Sequence, residues 1–217
     1  MSNNWKPELS ELSKRQKLGE KMGGAAKLKR QKERGKLNVR QRMDLLLDEG
    51  SFREIGKIAG KGTYTAKGDL KDFAPSNFIF GRGDIDSRPV VATADDFTVR
   101  GGAADAAIHR KFTQAEQMAH EMRLPLIRMI DGTGGGGSVK MIEDMGFTYV
   151  PFVPGWDHVV KNLDSVPVVA LALGPTAGLG AARVVASHYS VMVKGLSQIF
   201  TAGPAVVAAL GLSLIHI

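Results

Sequence analysis

The residues best suited to chemistry in this chain are glycines rather than acids or bases. Asp131-Gly132-Thr133-Gly134-Gly135-Gly136-Gly137-Ser138 follows an apolar run, Leu124 to Ile130, and leads into Ser138 to Met145, which has helical spacing. Between a buried strand and a helix, such a turn lets several backbone N–H groups converge near the positive helix end, an arrangement that stabilises an oxyanion. Successive glycines remove side chains from the approach and accept positive φ, at an entropic cost that a plain connection does not need. The bland alternative is a hinge. A second glycine stretch, Gly174-Pro175-Thr176-Ala177-Gly178-Leu179-Gly180, follows the apolar run Val166 to Leu173, which gives two candidate anion cradles. A third cluster, Asp96-Phe97-Thr98-Val99-Arg100-Gly101-Gly102-Ala103, is polar and Gly-rich. Arg100 either meets a phosphate there or is a surface charge beside a tight turn.

Gly132, Gly134 and Gly137 also satisfy a dinucleotide-binding glycine spacing. That motif wants a carboxylate about twenty positions on, at a strand tip. Asp157 has the distance, but Gly155-Trp156-Asp157 reads as a helix start. A triphosphatase loop is excluded because the Gly-Lys-Ser/Thr ending is absent. Side-chain catalysts are scarce. His109, His120, His158 and His188 are scattered without metal-ligand spacing, packing or surface roles suit them better, and no Gly-x-Ser-x-Gly elbow occurs. The inventory fits chemistry carried by oriented amides, with the base supplied by a cofactor.

The elements that must position these loops are legible in outline. The 217 residues, 43% apolar, suffice for one α/β core with a helical arm. No apolar run is long enough for a membrane span and the first residues form no secretory signal, so a cytoplasmic protein without membrane association is expected. The absence of cysteine excludes a thiolate metal site, a disulfide framework and a cysteine nucleophile, and no metal is expected. The net charge of +7 is concentrated in residues 1–42, which hold 13 Lys+Arg against 4 Asp+Glu. Lacking interleaved aromatics, this segment argues against nucleic acid and reads as a solvated helix face, with attraction to the phosphates of an anionic ligand as the lesser option.

Residues 8–34 predict a helical arm broken at Gly23-Gly24, and Asn38 caps a second helix through Leu47. Phe52 to Ile58, Asn77 to Gly83 and Pro89 to Asp95 predict strands of a meander. Thereafter Asp105 to Arg123 is a helix, Leu124 to Ile130 a strand, Asp157 to Leu163 a short helix and Val166 to Leu173 a strand ending in the second glycine loop. A small-residue helix from Ala181, a strand through Met192-Val193 and Ile199-Phe200 follow, so the fold class is layered α/β.

Several blocks carry a family resemblance. Gly35-Lys36-Leu37-Asn38-Val39-Arg40-Gln41-Arg42 and Leu45-Leu46-Leu47-Asp48-Glu49-Gly50-Ser51-Phe52-Arg53-Glu54 resemble the opening segment of the carboxyltransferase β subunits of biotin-dependent acyl-CoA carboxylases, of the propionyl-CoA and methylcrotonoyl-CoA type. Arg88-Pro89-Val90, the 96–103 cluster, Leu124 to Asp131 with its glycines, Gly174 to Gly178 and Ile199-Phe200-Thr201-Ala202-Gly203-Pro204 resemble the later blocks in family order. The resemblance covers residues 8–211 and the amino-terminal half of such a subunit. It implies a crotonase-like spiral of ββα units, divided here into a helical arm (1–50), the carboxyltransferase amino-terminal domain (51–211) and a non-native tail (212–217).

In such enzymes carboxybiotin releases CO2, the freed ureido nitrogen takes the acyl α-proton, and the enolate attacks CO2. Carried over by motif, Gly134, Gly135 and Gly136 supply the biotin-side amides, while Arg100, Gly101, Gly102, Ala103, Thr176, Ala177 and Gly178 line the CoA side. Biotin on a partner carrier domain, acyl-CoA as substrate, a biotin carboxylase or biotin carrier subunit as partner and a homo-oligomer of the intact subunit are implied with it. So is inactivity of the half alone, because each site needs two halves. The chain departs from the family in its four-glycine run at 134–137 and in Leu179, where relatives commonly have glycine. A decarboxylase subunit of the same fold and a dinucleotide-binding module are the competing readings.

Overall fold

The computed structural model describes residues 4–103, 109–132, 143, 146 and 155–201. Three helices come first: α1 (Lys6–Gly19), α2 (Ala25–Glu33) and α3 (Val39–Leu46). The arm breaks where the glycine pair predicts, with Gly24 preceding α2 at φ 88°. Asn38 caps α3 by accepting the N–H groups of Arg40 and Gln41, and the Gln41 side chain accepts the Asn38 N–H in return. This reciprocal box satisfies donors that the first helical turn leaves open.

The strands are β1 (Arg53–Glu54), β2 (Gly60–Tyr64), β3 (Leu70–Pro75), β4 (Phe78–Ile85), β5 (Arg88–Asp95), β6 (Leu126–Gly132), β7 (Val168–Ala177), β8 (Tyr189–Met192) and β9 (Gln198–Phe200). The main sheet runs β1-β4-β5-β6-β7-β8, with β9 also pairing β7; β2 and β3 form a separate hairpin. The first pairings, β1 with β4 and β4 with β5, are antiparallel, whereas β5 through β8 are parallel, as is β9 on β7. Helices α4 (His109–Met122), α5 (Trp156–Ser165) and α6 (Leu179–Val185) lie among the parallel strands in sequence, giving the mixed α/β, crotonase-like architecture.

Strand alternation sends successive side chains to opposite faces. Val90, Ala92, Ala94, Ile127 and Met129 pack with Val39 and Met43 of α3 and with Leu47 just after it, so the third helix contributes to the sheet's core. On the other face Val91, Leu126 and Val168 meet Ala119 of α4, and Ile130, Ala170 and Ala172 meet Val184 of α6. The β4–β5 turn places Asp86 and Ser87 at positive φ, the geometry a two-residue hairpin requires. Asp48, just past α3, accepts both of their N–H groups, at 3.1 and 2.8 Å.

Three expectations are corrected. The run Phe52 to Ile58 yields only the two-residue β1, because the chain turns at Gly56, whose carbonyl accepts the Ala59 N–H. The β2–β3 hairpin has no counterpart in the sequence reading, since it is largely exposed and lacks the apolar alternation by which strands are recognised. The second glycine stretch is mostly strand: β7 continues through Gly174, Pro175, Thr176 and Ala177, because β9 pairs with this extension in parallel. The helical run predicted over 138–145 falls, apart from Glu143, outside the described residues.

Candidate functional site

Alternation along β6 decides which of its charged residues serve which face. Ile127, Met129 and Asp131 point toward the arm, whereas Leu126, Arg128 and Ile130 point toward α4 and α6. Asp131 is fully buried, and Lys36 Nζ lies 2.7 Å from each of its carboxylate oxygens. Arg42 Nη2 donates to Asp131 Oδ2, also at 2.7 Å. The Asp131 N–H donates to Asp95 Oδ2 at the end of β5, and Asp95 in turn accepts from Arg183 of α6. Strand-end carboxylates thus tie arm, sheet and α6 together at the root of the first glycine loop.

The two loops start side by side. Gly132 is in register with Thr176 on the neighbouring parallel strand. The 96–103 cluster joins them: a Cβ on Gly132 would stand 2.8 Å from Gly102 Cα, and one on Gly102 would stand 2.9 Å from the Asp131 carbonyl oxygen. Only residues without side chains allow the two backbones to come this close. Arg100, Gly101 and Gly102 all have positive φ, a run of left-handed residues that includes a non-glycine. Such strain persists only where surrounding structure enforces it. Here Thr98 helps: its hydroxyl donates to Asp96 Oδ1 at 2.6 Å and accepts the Gly23 N–H at 2.9 Å, pinning the break between α1 and α2 to the cluster. Burial raises the Asp96 carboxyl pKa, and the Thr98 hydroxyl and N–H bonds oppose that rise.

Beside this junction lies a cleft of about 230 Å³ lined by Lys27, Arg30, Arg34, Lys36 and Arg100, with Phe97 and Gly101 also in its wall. Its lining includes no carboxylate among the described residues. Lys36 Nζ stands 4.8 Å from the centre of the Phe97 ring. Burial lowers the Lys36 pKa, with the Asp131 hydrogen bond acting the other way. Five cations and an aromatic ring around one concavity suit a polyanionic ligand with a flat group, such as a phosphorylated nucleotide moiety.

Among the residues singled out from sequence, Gly134, Gly135 and Gly136 lie outside the described residues. Arg100, Gly101, Gly102 and Ala103 stand at the junction just described, and Thr176, Ala177 and Gly178 stand at the end of β7. Several of their hydrogen-bonding groups are engaged internally. The Gly102 N–H donates to Val99 O, the Ala103 N–H to Arg100 O and the Gly178 N–H to Phe200 O, each at 3.1 Å. Thr176 is buried and its hydroxyl donates to Gln198 O.

Sequence reasoning kept the arm's attraction to phosphates only as the lesser option. Lys27, Arg30 and Arg34 recur at i, i+3 and i+7, the spacing of one helix face, and this was the available signal. It also gave Asp131 no role beyond its turn. Two of the histidines serve hydrogen bonds within the fold: His188 Nδ1 accepts the Val168 N–H, leaving Nε2 to donate to Leu163 O, and His120 Nδ1 contacts Ser165 Oγ. Asp157 sits in the first turn of α5 rather than at a strand tip, which removes the ribose carboxylate that a dinucleotide site needs.

Comparison with known proteins bears on the family. The carboxyl transferase domain model matches residues 30–212. The mitochondrial methylcrotonoyl-CoA carboxylase beta chain of Arabidopsis thaliana is 34% identical over 208 residues, covering 93% of this chain and 33% of that protein. The methylmalonyl-CoA decarboxylase subunit alpha of Veillonella parvula is 28% identical over 189 residues, covering 85% of this chain and 35% of that protein. Among solved structures, the 12S transcarboxylase with methylmalonyl-coenzyme A and methylmalonic acid bound superposes with a TM-score of 0.78 at 27% identity, over 97% of this chain and 40% of that one. The chain therefore spans about a third of the length of these curated relatives. On the match over residues 30–212, this chain belongs to the carboxyl transferase domain family, which acyl-CoA carboxylases and decarboxylases share.

Proposed function

We propose that this chain is the acyl-CoA-holding half of a carboxyltransferase that moves a carboxyl group between biotin and the α-carbon of an acyl-CoA. One observation carries the reading: the five-cation cleft has Arg100 and Gly101 in its wall, and the next residue, Gly102, touches the start of the first glycine loop at Gly132. A CoA whose phosphates lie in the cleft would have its thioester end directed toward the paired strand ends.

In this reading Lys27, Arg30, Arg34 and Lys36 bind phosphate groups, and Phe97 offers a ring face to the base. Arg100, Gly101, Gly102, Ala103, Thr176, Ala177 and Gly178 shape the CoA-side wall. Because the N–H groups of Gly102, Ala103 and Gly178 already have partners, these three define its shape by backbone contact. Gly134, Gly135 and Gly136 supply amides for the developing charge on the biotin side, a kind of contact whose loss typically costs about 10²–10³ in turnover. Biotin, carried by a partner subunit or domain, supplies the carboxyl group and the base. A homo-oligomer of the intact subunit brings the second half of each site, and the cytoplasm is the proposed compartment.

Isothermal titration of this chain with CoA and with 3′-dephospho-CoA tests the binding half. CoA should bind more tightly, and Arg30→Ala combined with Arg34→Ala should weaken it by about ten- to a hundredfold, as loss of charge-assisted phosphate contacts does. For the chemical half, the intact subunit with its biotin carboxylase partner should incorporate labelled bicarbonate into propionyl-CoA or methylcrotonoyl-CoA. Failure with every acyl-CoA would sink the carboxylase reading. The similarity to a methylmalonyl-CoA decarboxylase subunit favours a second version, the same transfer run in reverse; CO2 release from a carboxylated acyl-CoA, dependent on Na⁺ and a membrane partner, would identify it.

A further inference from the structure

Lys36 belongs to two sites at once. It lines the basic cleft, and its Nζ is 2.7 Å from both oxygens of Asp131, the residue that precedes Gly132. Arg42 is the second cation on that carboxylate, through Nη2 to Oδ2, so two cations share one carboxylate in a largely buried setting. The Lys36, Arg42 and Asp131 side chains are 8%, 5% and 0% exposed. Buried Asp96 is the other carboxylate whose charge acts on Arg42, so Asp131 is shared between two cations while the cleft opens on the Lys36 side. Arg42 also holds a reserve: its Nη1 is buried with no hydrogen-bond partner. A guanidinium binds a carboxylate best through two parallel N–H···O bonds, and Arg42 makes only one to Asp131.

We propose that Asp131 is a positioning residue that couples the cleft to the glycine loop: an anion in the cleft draws Lys36 off Asp131, and Arg42 closes on the freed carboxylate with both nitrogens. The backbone registers the exchange. Asp131 Oδ1 occupies the space beside Gly174, where a Cβ would collide with it and with Lys36 Nζ. A turn of the carboxylate therefore acts on Gly174 of β7 and, through its own main chain, on Gly132 of β6, the two strands whose ends form the junction. Occupancy of the cleft by phosphate thereby adjusts the root of the first glycine loop. This deepens the acyl-CoA reading by assigning the phosphates a second effect besides affinity, and it rests on that reading only for the identity of the anion.

The test uses the 217-residue chain with inorganic pyrophosphate as probe, read by titration calorimetry and by the backbone amide resonances of Gly132 and Gly174. In the unmodified chain both resonances should shift with pyrophosphate and saturate together with binding. Lys36→Gln should weaken pyrophosphate by about tenfold, the loss of one of five cations, while Gly132 and Gly174 no longer respond. Asp131→Asn removes the group that competes for Lys36 and should tighten pyrophosphate severalfold, where a merely structural role would weaken it. Should Asp131→Asn not fold, the Lys36→Gln comparison decides alone. The coupling is overturned if pyrophosphate does not bind, if Gly132 and Gly174 stay still at saturation, if they still move in Lys36→Gln, or if folded Asp131→Asn binds no more tightly. Pyrophosphate coupling without CoA binding would sink the acyl-CoA reading alone; CoA binding and carboxylation with both glycines unmoved would sink the coupling alone.

Discussion

The two faces of β6 carry buried ion pairs three residues apart, and they are built to opposite ends. On the helix side Arg128 is sealed. Its Nε and Nη2 meet the two oxygens of Glu116 at 2.9 and 2.7 Å, its Nη1 donates to Ala186 O at 2.6 Å, and Asn162 Nδ2 adds a bond to Glu116 Oε2. Every polar atom of Arg128 and Glu116 is spoken for, so the pair fastens α4, α5 and the segment after α6 to the sheet. On the arm side the Asp131 cluster has two cations for one carboxylate, a guanidinium nitrogen without a partner, and an edge on the cleft. A closed pair fixes structure, whereas an open one leaves charge available to a ligand.

The comparison is broken most severely by Arg128→Met, which strands the Glu116 carboxylate in the interior. Chemical denaturation should show a loss of about 3–5 kcal/mol, whereas adding Glu116→Leu should recover most of it, because an apolar pair of similar volume replaces both charges. Gly174→Ala strikes the open side. Its new Cβ would collide with the Asp131 carboxylate and Lys36, so unfolding should register roughly 2–4 kcal/mol, the range of buried overpacking with a disrupted ion pair, and anion binding in the cleft should change with it. If Gly174→Ala were silent in both measurements, the packing of Asp131 against β7 would be refuted.

Lys111 sharpens the contrast from a third position. It is 6% exposed, and burial brings its pKa down to about 8 while Glu54, itself bound to Arg40, opposes the drop. Since the folded value lies below the unfolded one near 10.4, its contribution is present above the unfolded pKa and is lost as pH falls through about 8. Lys111→Met should therefore stabilise the chain at pH 7 by on the order of 1–3 kcal/mol, with the gain vanishing above pH ~10 in a thermal denaturation series. The smallest effect is expected from Asn38→Ala, which removes the cap of α3 and should cost about 1 kcal/mol, with no change in the Arg128 pair.

How legible all this was in the sequence depended on whether the signal was local. The break at Gly23-Gly24, the Asn38 cap, and the apolar runs that became β6 and β7 each write their reason within a few residues. The β2–β3 hairpin did not, because an exposed strand of Lys, Gly and Thr carries no apolar period. Nor did the extension of β7 through Thr176 and Ala177: the strand partner that straightens the glycine stretch, Gln198–Phe200, lies about twenty residues downstream. Asp131 was recognised only as the end of a strand, since its two cations are 89 and 95 positions away.

By itself the sequence determined the break and the cap in the helical arm, the apolar runs of the main strands and the family, because periodicity, capping and motif order are properties of neighbouring residues. Only the tertiary structure decided that the basic arm is the wall of a cleft, that Gly102 and Gly132 touch, and that Lys36 stands between that cleft and Asp131. These contacts arise when alternation along β6 meets the docking of α3 on one face of the sheet, and charges far apart in the chain acquire their meaning from sharing that face.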